Sequence, residues 1–187
     1  MLLKNMICGL RNYFKNTYNN NVDAQYLSIL TNIIANGVRK ENRTGIAAYS
    51  IPHQRMSFDL SKEFPLLTSK FVGLKTATKE ILWIWQDKSN DVNLLNKKYG
   101  VKIWNEWKRT DGTIGKAYGY QLAKQYKYFD VDANNAFKLK KEGKISDYRV
   151  GKNGEIYMDQ VDKLIYDLHY NRDSRRMVVS LWNVENL

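Results

Sequence analysis

Three stretches of the chain carry apolar residues at helical spacing. The first lies between Asp23 and Val38, the second covers residues 74–86, and the third begins at Asp159. Apolar residues that recur every three or four positions line one side of a helix, so each stretch predicts a helix with one buried face. Asp23 is a predicted N-cap, Gly37 is predicted to mark the end of the first helix, and Asp159 is predicted to open the third. The stripe predicted for the third helix is Val161, Leu164, Ile165 and Leu168.

Two other stretches predict strands. Residues 46–60 alternate between polar and apolar side chains, which is the pattern of a half-buried strand. The run from Met177 to Asn183 is apolar and rich in β-branched residues, and it predicts a buried strand. The preceding Asp173-Ser174 predicts a turn.

Residues 124–157 lack a strong apolar rhythm and are dominated by tyrosine, lysine, asparagine and glycine. They predict an inserted basic subdomain or a long surface loop, with short strands near Tyr126–Val131 and Tyr148–Tyr157. Residues 1–22 end in a polar tract and are expected to form an extension outside the main core. The predicted domain therefore covers residues 23–187.

Charge and cysteine content narrow the function classes. The chain has 30 Lys+Arg against 19 Asp+Glu, a formal net charge of +11. Such an excess suits nucleotides, nucleic acid or a polyanionic cofactor, although solubility alone accounts for it equally well. The single cysteine, Cys8, cannot form an internal disulfide, which fits the reducing cytoplasm. No apolar run is long enough to span a bilayer, and no secretory signal is recognisable.

One acidic residue lies on an apolar helical face. Glu80 shares its face of the second predicted helix with Ala77 and Ile84. Burial there would raise the pKa of the carboxyl toward neutrality, as proton transfer near pH 7 requires. An equally weighted alternative is a surface ion pair with a neighbouring lysine, Lys75, Lys79 or Lys88.

Three aromatic residues and two arginines are further candidates for a site. Trp104 and Trp107 would form a stacking platform for a planar heterocycle if exposed on one side, or would pack in the core. Glycines on both sides of Tyr118 permit a close approach of the backbone. Arg175 and Arg176 would bind a phosphate dianion together if the backbone turns there, and otherwise would be solvated.

Taken together, six stretches resemble thymidylate synthase, the folate-dependent methylase that converts dUMP to dTMP. They are Glu41–Gly45, Phe64–Lys70, Lys79–Trp85, Ile103–Trp107, Gly115–Gly119 and Asp173–Asn183. Their order is that of the family, apart from the insert at 124–157, and the segment around Trp83–Asn93 looks like the bacillus and phage branch. The resemblance implies the family's α+β fold, with helices packed on a mixed sheet, here incomplete at the C-terminus.

The resemblance also implies roles for residues at the nucleotide. Arg43 matches the loop arginine that grips the dUMP phosphate. Arg175 and Arg176 match the pair that reaches the phosphate bound in the partner subunit, so a homodimer is implied. Glu80 matches the glutamate that relays protons around the pyrimidine through water, and Tyr118 the tyrosine that assists loss of the C5 proton.

The remaining matches concern the folate co-substrate, 5,10-methylenetetrahydrofolate, and no metal is implied. Trp104 and Trp107 match tryptophans beside the folate ring and the methylene being reduced, and Lys70 matches a contact to the folate tail. Gly73 stands where many members carry a folate-contacting histidine, and Phe71 where many carry a basic residue.

The expected activity is reductive methylation of dUMP by a cytoplasmic enzyme. In the family a cysteine thiolate adds to C6 of the uracil, from a Pro-Cys motif that would lie just beyond Leu187. Cys8 has no such motif around it and is not assigned as a substitute. The chain is therefore expected to be an N-terminal part of the enzyme and inactive alone. Two alternatives remain: a related pyrimidine hydroxymethylase, and a non-catalytic remnant that binds nucleotide or RNA through its basic surface.

Overall fold

The computed structural model describes residues 21–186 in two compact units, which meet in sequence between Gly73 and Leu74. The first unit contains helix α1 and a two-stranded antiparallel sheet. Their bounds are Asn21–Asn36 for α1, Val38–Lys40 for β1 and Ala48–Ser50 for β2. The first predicted helix is confirmed, and Gly37 follows it as expected. Cys8 and nearly all of the predicted extension lie outside the described residues.

Asp23 does not cap this helix, so that prediction is wrong. It lies in the first turn of α1 and is fully buried. Its carboxylate accepts hydrogen bonds from the Thr68 hydroxyl at 2.5 Å, the Thr68 N–H at 3.1 Å and the Ser69 N–H at 2.9 Å. Asp23 therefore ties the start of the helix to a segment 45 residues later in the chain.

The strand predicted over residues 46–60 is shorter than expected. Only β2 forms a ladder, although Met56 and Phe58 beyond it are half-buried. Pro52 has no N–H to donate to a neighbouring strand, and His53 adopts a positive φ of 58°. These two residues end the extended pairing that the alternation predicts.

The second unit opens with the helix predicted over 74–86. Helix α2, Leu74–Ile81, continues as a π-helical turn, Leu82–Gln86, and α3, Val92–Leu94, continues in the same way over Leu95–Tyr99. Trp83 is fully buried, and its indole N–H donates to the Asp91 carbonyl at 3.1 Å. The core built around it consists of Trp83, Ile84, Leu95, Val101 and Leu122.

A second core lies in the same unit, where residues 124–157 form folded elements rather than a loop. The remaining helices are a 3₁₀ turn at Asn105–Trp107, α4 at Gly119–Ala123, α5 at Ala133–Lys141, α6 at Gln160–Tyr170 and a 3₁₀ turn at Val184–Asn186. Strands β3, Gln125–Tyr128, β4, Arg149–Val150, and β5, Ile156–Asp159, form an antiparallel sheet in the order β3-β5-β4. The core beneath it is Val131, Ala136, Leu139, Ile145, Ile156, Met158 and Tyr166.

Helix α6 begins where it was predicted, with Asp159 as its N-cap. The Asp159 carboxylate accepts hydrogen bonds from the N–H groups of Val161 at 3.0 Å and Asp162 at 2.9 Å. The predicted apolar stripe is confirmed in part: Val161 and Ile165 pack against the two cores, whereas Leu168 is 50% exposed. The buried positions of the helix are Gln160, Asp162, Lys163, Tyr166 and Asp167.

Ion pairs make this charged face compatible with burial. Lys163 lies 2.6 Å from Asp167 and 3.1 Å from Asp130, while Lys88 lies 2.5 Å from Asp159 and 2.9 Å from Asp162. Burial raises the pKa of Asp159, and Lys88 opposes that rise.

The predicted buried strand at Met177–Asn183 is not part of any sheet in the described residues, and the prediction is wrong. Val178 and Trp182 are 72% and 78% exposed. Val179 and Leu181, on the alternate positions, pack against the core around Trp83. The segment is half-buried, because only one of its faces is covered.

The α+β class is confirmed, since helices pack with antiparallel sheets in this structure. Within residues 21–186, none of the helices has both the length and the apolar character needed to cross a membrane.

The buried Asp23 carboxylate generates the first prediction. Asp23→Ala removes the acceptor for the Thr68 and Ser69 N–H groups, and it should lower the free energy of unfolding by about 2 kcal/mol, measured by urea denaturation. Glu41→Gln, at an exposed ion pair with Arg39, is the matched control and should unfold near the unaltered midpoint. Equal losses in the two variants would contradict the assignment.

The ion pair between Lys163 and Asp167 in α6 generates the second prediction. Lys163→Met leaves the Asp167 carboxylate, which is 2% exposed, without its cation. Because an unpaired buried charge is costly, the free energy of unfolding should fall by about 3 kcal/mol. Lys140→Met, which breaks the exposed pair with Asp147, should leave the unfolding midpoint close to that of the unaltered chain. A similar midpoint for both variants would refute a stabilising role for Lys163.

Candidate active site

A hydrogen bond joins two of the candidate residues of the second unit. Glu80 is half-buried near the end of α2, and its Oε1 accepts a hydrogen bond from the Trp104 indole N–H at 2.7 Å. Two of the lysines considered as ion-pair partners are engaged elsewhere: Lys79 donates to the Tyr99 carbonyl, and Lys88 pairs with the aspartates described above. Within the described residues, Glu80 forms no ion pair.

Trp104 is also the centre of an aromatic cluster. Its ring centroid lies 5.5 Å from those of both Trp107 and Tyr118, with edge-on interplanar angles of 62° and 63°. The buried Trp83 lies 6.4 Å away on the side of the core. Trp104 is half-buried and Trp107 is 62% exposed, so the more open ring of the predicted platform is Trp107.

Tyr118 has an unusual backbone conformation, with φ 46° and ψ −106°. Such a conformation in a residue other than glycine persists only when its surroundings impose it. Gly119 accounts for part of this, because a Cβ there would lie 2.1 Å from the Ser89 carbonyl oxygen. The close backbone approach expected from the flanking glycines is therefore present, and the Tyr118 side chain remains 39% exposed.

The backbone is still turning at the two adjacent arginines. The Ser174 N–H donates to the Asn171 carbonyl at 3.0 Å, and the Arg176 N–H donates to the Ser174 hydroxyl at 3.2 Å. Arg175 and Arg176 are both exposed, and neither is in an ion pair with another described residue. Arg176 borders a pocket of about 220 Å³ that Lys163, Asp167 and Tyr128 also line.

Two candidates belong to the first unit. Arg43 is exposed in the turn between β1 and β2, where the Asn42 side chain accepts hydrogen bonds from the Thr44 N–H at 2.9 Å and hydroxyl at 2.6 Å. Gly45 completes the turn with φ 74°. Lys70 is exposed just after the segment that Asp23 holds. Neither Arg43 nor Lys70 forms an ion pair with a described residue.

The structure thus brings Glu80, Trp104, Trp107 and Tyr118 into one contact group and places the other candidates in turns. Among residues 21–186 there is no group of three or more His, Cys, Asp and Glu side chains that could hold a metal ion. Sequence reasoning missed Gln121 and Gln160, which are 2% and 9% exposed and link the Tyr118 turn to Ser180. A buried glutamine has no sequence signal that separates it from a solvated one.

Comparisons with known proteins identify the family of the chain. A family model described as thymidylate synthase matches residues 24–187. The thymidylate synthase of Bacillus subtilis subsp. natto is 45% identical over 175 residues, which are 88% of this chain and 53% of that protein. The thymidylate synthase of Clostridium beijerinckii is 41% identical over 165 residues, 88% of this chain and 50% of that protein. The thymidylate synthase of Bacillus phage phi3T is 44% identical over 175 residues, with 88% and 53% covered.

A solved structure shows the same relationship. The thermostable thymidylate synthase A from Bacillus subtilis has a TM-score of 0.67 and 41% identity, over 90% of this chain and 55% of that one. The chain spans about half the length of the curated relatives it matches. The predicted resemblance, including its bacillus and phage branch, is confirmed: the chain belongs to the thymidylate synthase family.

Proposed function

We propose that this protein serves the reductive methylation of dUMP to dTMP, with 5,10-methylenetetrahydrofolate as co-substrate. The observation that carries the proposal is the 2.7 Å hydrogen bond from Trp104 to Glu80, with Trp107 and Tyr118 around the same indole. A fixed carboxylate beside an exposed aromatic surface is what proton transfer on a pyrimidine and stacking of a pteridine together require.

Glu80 is the proposed proton relay. An indole N–H can only donate, so Trp104 fixes Oε1 of Glu80 as an acceptor. Oε2 accepts no hydrogen bond from another described residue, and it is the oxygen left for water at the pyrimidine. One oxygen is thereby anchored while the other exchanges protons.

Tyr118 is the proposed assistant in loss of the C5 proton. Its ring lies against the same indole that holds Glu80, so the phenol and the carboxylate share one support. The exposed ring of Trp107 is the proposed stacking surface for the folate ring, and Lys70 is the proposed contact to the folate tail. The paired tryptophans favour the methylase over a pyrimidine hydroxymethylase.

Arginines are proposed to bind the nucleotide phosphate. Arg43 would grip it from the turn between β1 and β2, and Arg175 and Arg176 would reach the phosphate bound in the partner of a cytoplasmic homodimer. All three are exposed, and none is paired with a carboxylate of the described residues, so their donors are available to a dianion.

The 187-residue chain by itself should show no turnover. Its only cysteine is Cys8, and its two prolines, Pro52 and Pro65, are followed by histidine and leucine, so it contains no Pro-Cys motif to add to C6 of dUMP. Release of tritium from dUMP labelled at C5 should stay at the level of a blank without protein. Release above the blank would require another nucleophile.

A chimera tests the proposed function itself. Residues 24–187 would replace the matching half of the Bacillus subtilis enzyme, and the product should support growth of a thymidine-requiring strain and release tritium from dUMP. Glu80→Gln in the chimera should lower the rate of tritium release by about 10²-fold or more, because the amide cannot relay a proton.

The matched control for the chimera is Glu106→Gln, an exposed glutamate between the two tryptophans of the cluster. It should retain nearly the full rate. A folded chimera that is inactive, or one in which both substitutions reduce the rate equally, would overturn the proposed role of these residues.

A further inference from the structure

A buried glutamine holds the segment that follows the two arginines. The Gln160 Oε1 accepts a hydrogen bond from the Ser180 N–H at 2.8 Å, and its Nε2 donates to the Ser180 carbonyl at 3.0 Å. The side-chain amide therefore pairs with Ser180 as the backbone of a neighbouring strand would. The same Nε2 also donates to the Gln121 carbonyl at 2.9 Å, so Gln160 uses its acceptor and both N–H groups.

A second buried glutamine continues this chain of hydrogen bonds to the Tyr118 turn. The Gln121 Nε2 donates to the Lys116 carbonyl at 2.6 Å, and the Asn183 side chain donates to Gln121 Oε1 at 3.4 Å. The backbone N–H of Gln121 donates to the Tyr118 carbonyl at 3.0 Å. Gln121 thus binds the carbonyl of the strained tyrosine and the carbonyl of Lys116, two residues before it.

The strained conformation of Tyr118 needs support from more than one direction. Gly119 is held against the Ser89 backbone on one side. The carbonyls of Lys116 and Tyr118 are held by Gln121 on the other. Because Gln121 is itself held by Gln160, displacement of either amide should let the turn relax.

We propose that Gln121 and Gln160 are positioning residues, which set the place of the Tyr118 ring and tie it to the segment after Arg175 and Arg176. The hydrogen bonds that run from Ser180 through Gln160 and Gln121 to Lys116 form an amide relay. The relevance of this relay to catalysis rests on the proposed function, whereas its effect on the position of Tyr118 does not. If Gln121 and Gln160 only filled buried space, replacing either one would disturb the residues packed against it and would leave the position of the Tyr118 ring unchanged.

The test uses the full chain labelled with 5-fluorotryptophan, whose five tryptophans give five ¹⁹F signals. The Trp104 signal is assigned with Trp104→Phe and reports on the Tyr118 ring, 5.5 Å away. Gln160→Met, which keeps the side-chain length and loses the amide, should shift this signal. Hydrogen exchange in residues 116–122 and 178–183 should become about tenfold faster, because both segments lose hydrogen bonds.

A milder variant and a control are measured alongside Gln160→Met. Gln121→Asn keeps an amide but is one methylene too short to reach the Lys116 carbonyl, and it should produce the same two changes if Gln160→Met does not fold. Gln125→Met, at an exposed glutamine of β3, should change neither the Trp104 signal nor the exchange rates. In a Tyr118→Ala background, the shift caused by Gln160→Met should disappear.

Faster exchange confined to residues 178–183, with the Trp104 signal unmoved, would overturn the proposal. A Trp104 shift that persists in the Tyr118→Ala background would overturn it as well, since the effect would then not pass through the tyrosine. None of these readouts needs substrate, so failure of the relay and failure of the proposed enzymatic function are distinguishable.

Discussion

The indole of Trp104 is the contact on which the candidate site depends. Its N–H holds Glu80, its ring lies in T-shaped contact with those of Trp107 and Tyr118, and the buried Trp83 lies 6.4 Å away. A half-buried indole can pack against the core with its ring and hold a carboxylate of the site with its N–H. The geometry of the carboxylate and the phenol is therefore set by packing around one side chain rather than by separate loops.

Buried polar groups, in addition to the two apolar cores, hold the second unit together. Helix α6 buries two aspartates and a lysine, and ion pairs with Lys88 and Asp130 make this possible. The same helix begins with Gln160, whose side-chain amide forms hydrogen bonds with the backbone of the extended segment at Ser180. Buried polar groups of this kind are costly unless every partner is in place, so they define one arrangement of the elements around them.

Helices α1, α2 and α6 were predicted, whereas α3, α4 and α5 were not. The short strands expected near Tyr126–Val131 and Tyr148–Tyr157 correspond to β3, β4 and β5, but the longer strands expected over 46–60 and 177–183 did not form as predicted. The segment 74–86 and the start of α6 at Asp159 follow from local spacing and capping, which act within a few residues. The apolar run at 177–183 looked like a buried strand, but burial depends on what covers the second face. Asp23 looked like a cap because the sequence does not show that Thr68 and Ser69 lie beside its carboxylate.

By itself, the sequence determined the family, and its ordered motifs supplied Glu80, Trp104, Tyr118 and the arginines as candidate site residues. It also determined the positions of α1, α2 and α6, because helical spacing depends on interactions between neighbours in the chain. Only the tertiary structure decided that Trp104 holds Glu80, that α6 buries its charges, and that Gln121 and Gln160 link Tyr118 to Ser180. These are contacts between residues distant in sequence, and the orientation of a side chain toward such a partner leaves no periodic trace in the chain.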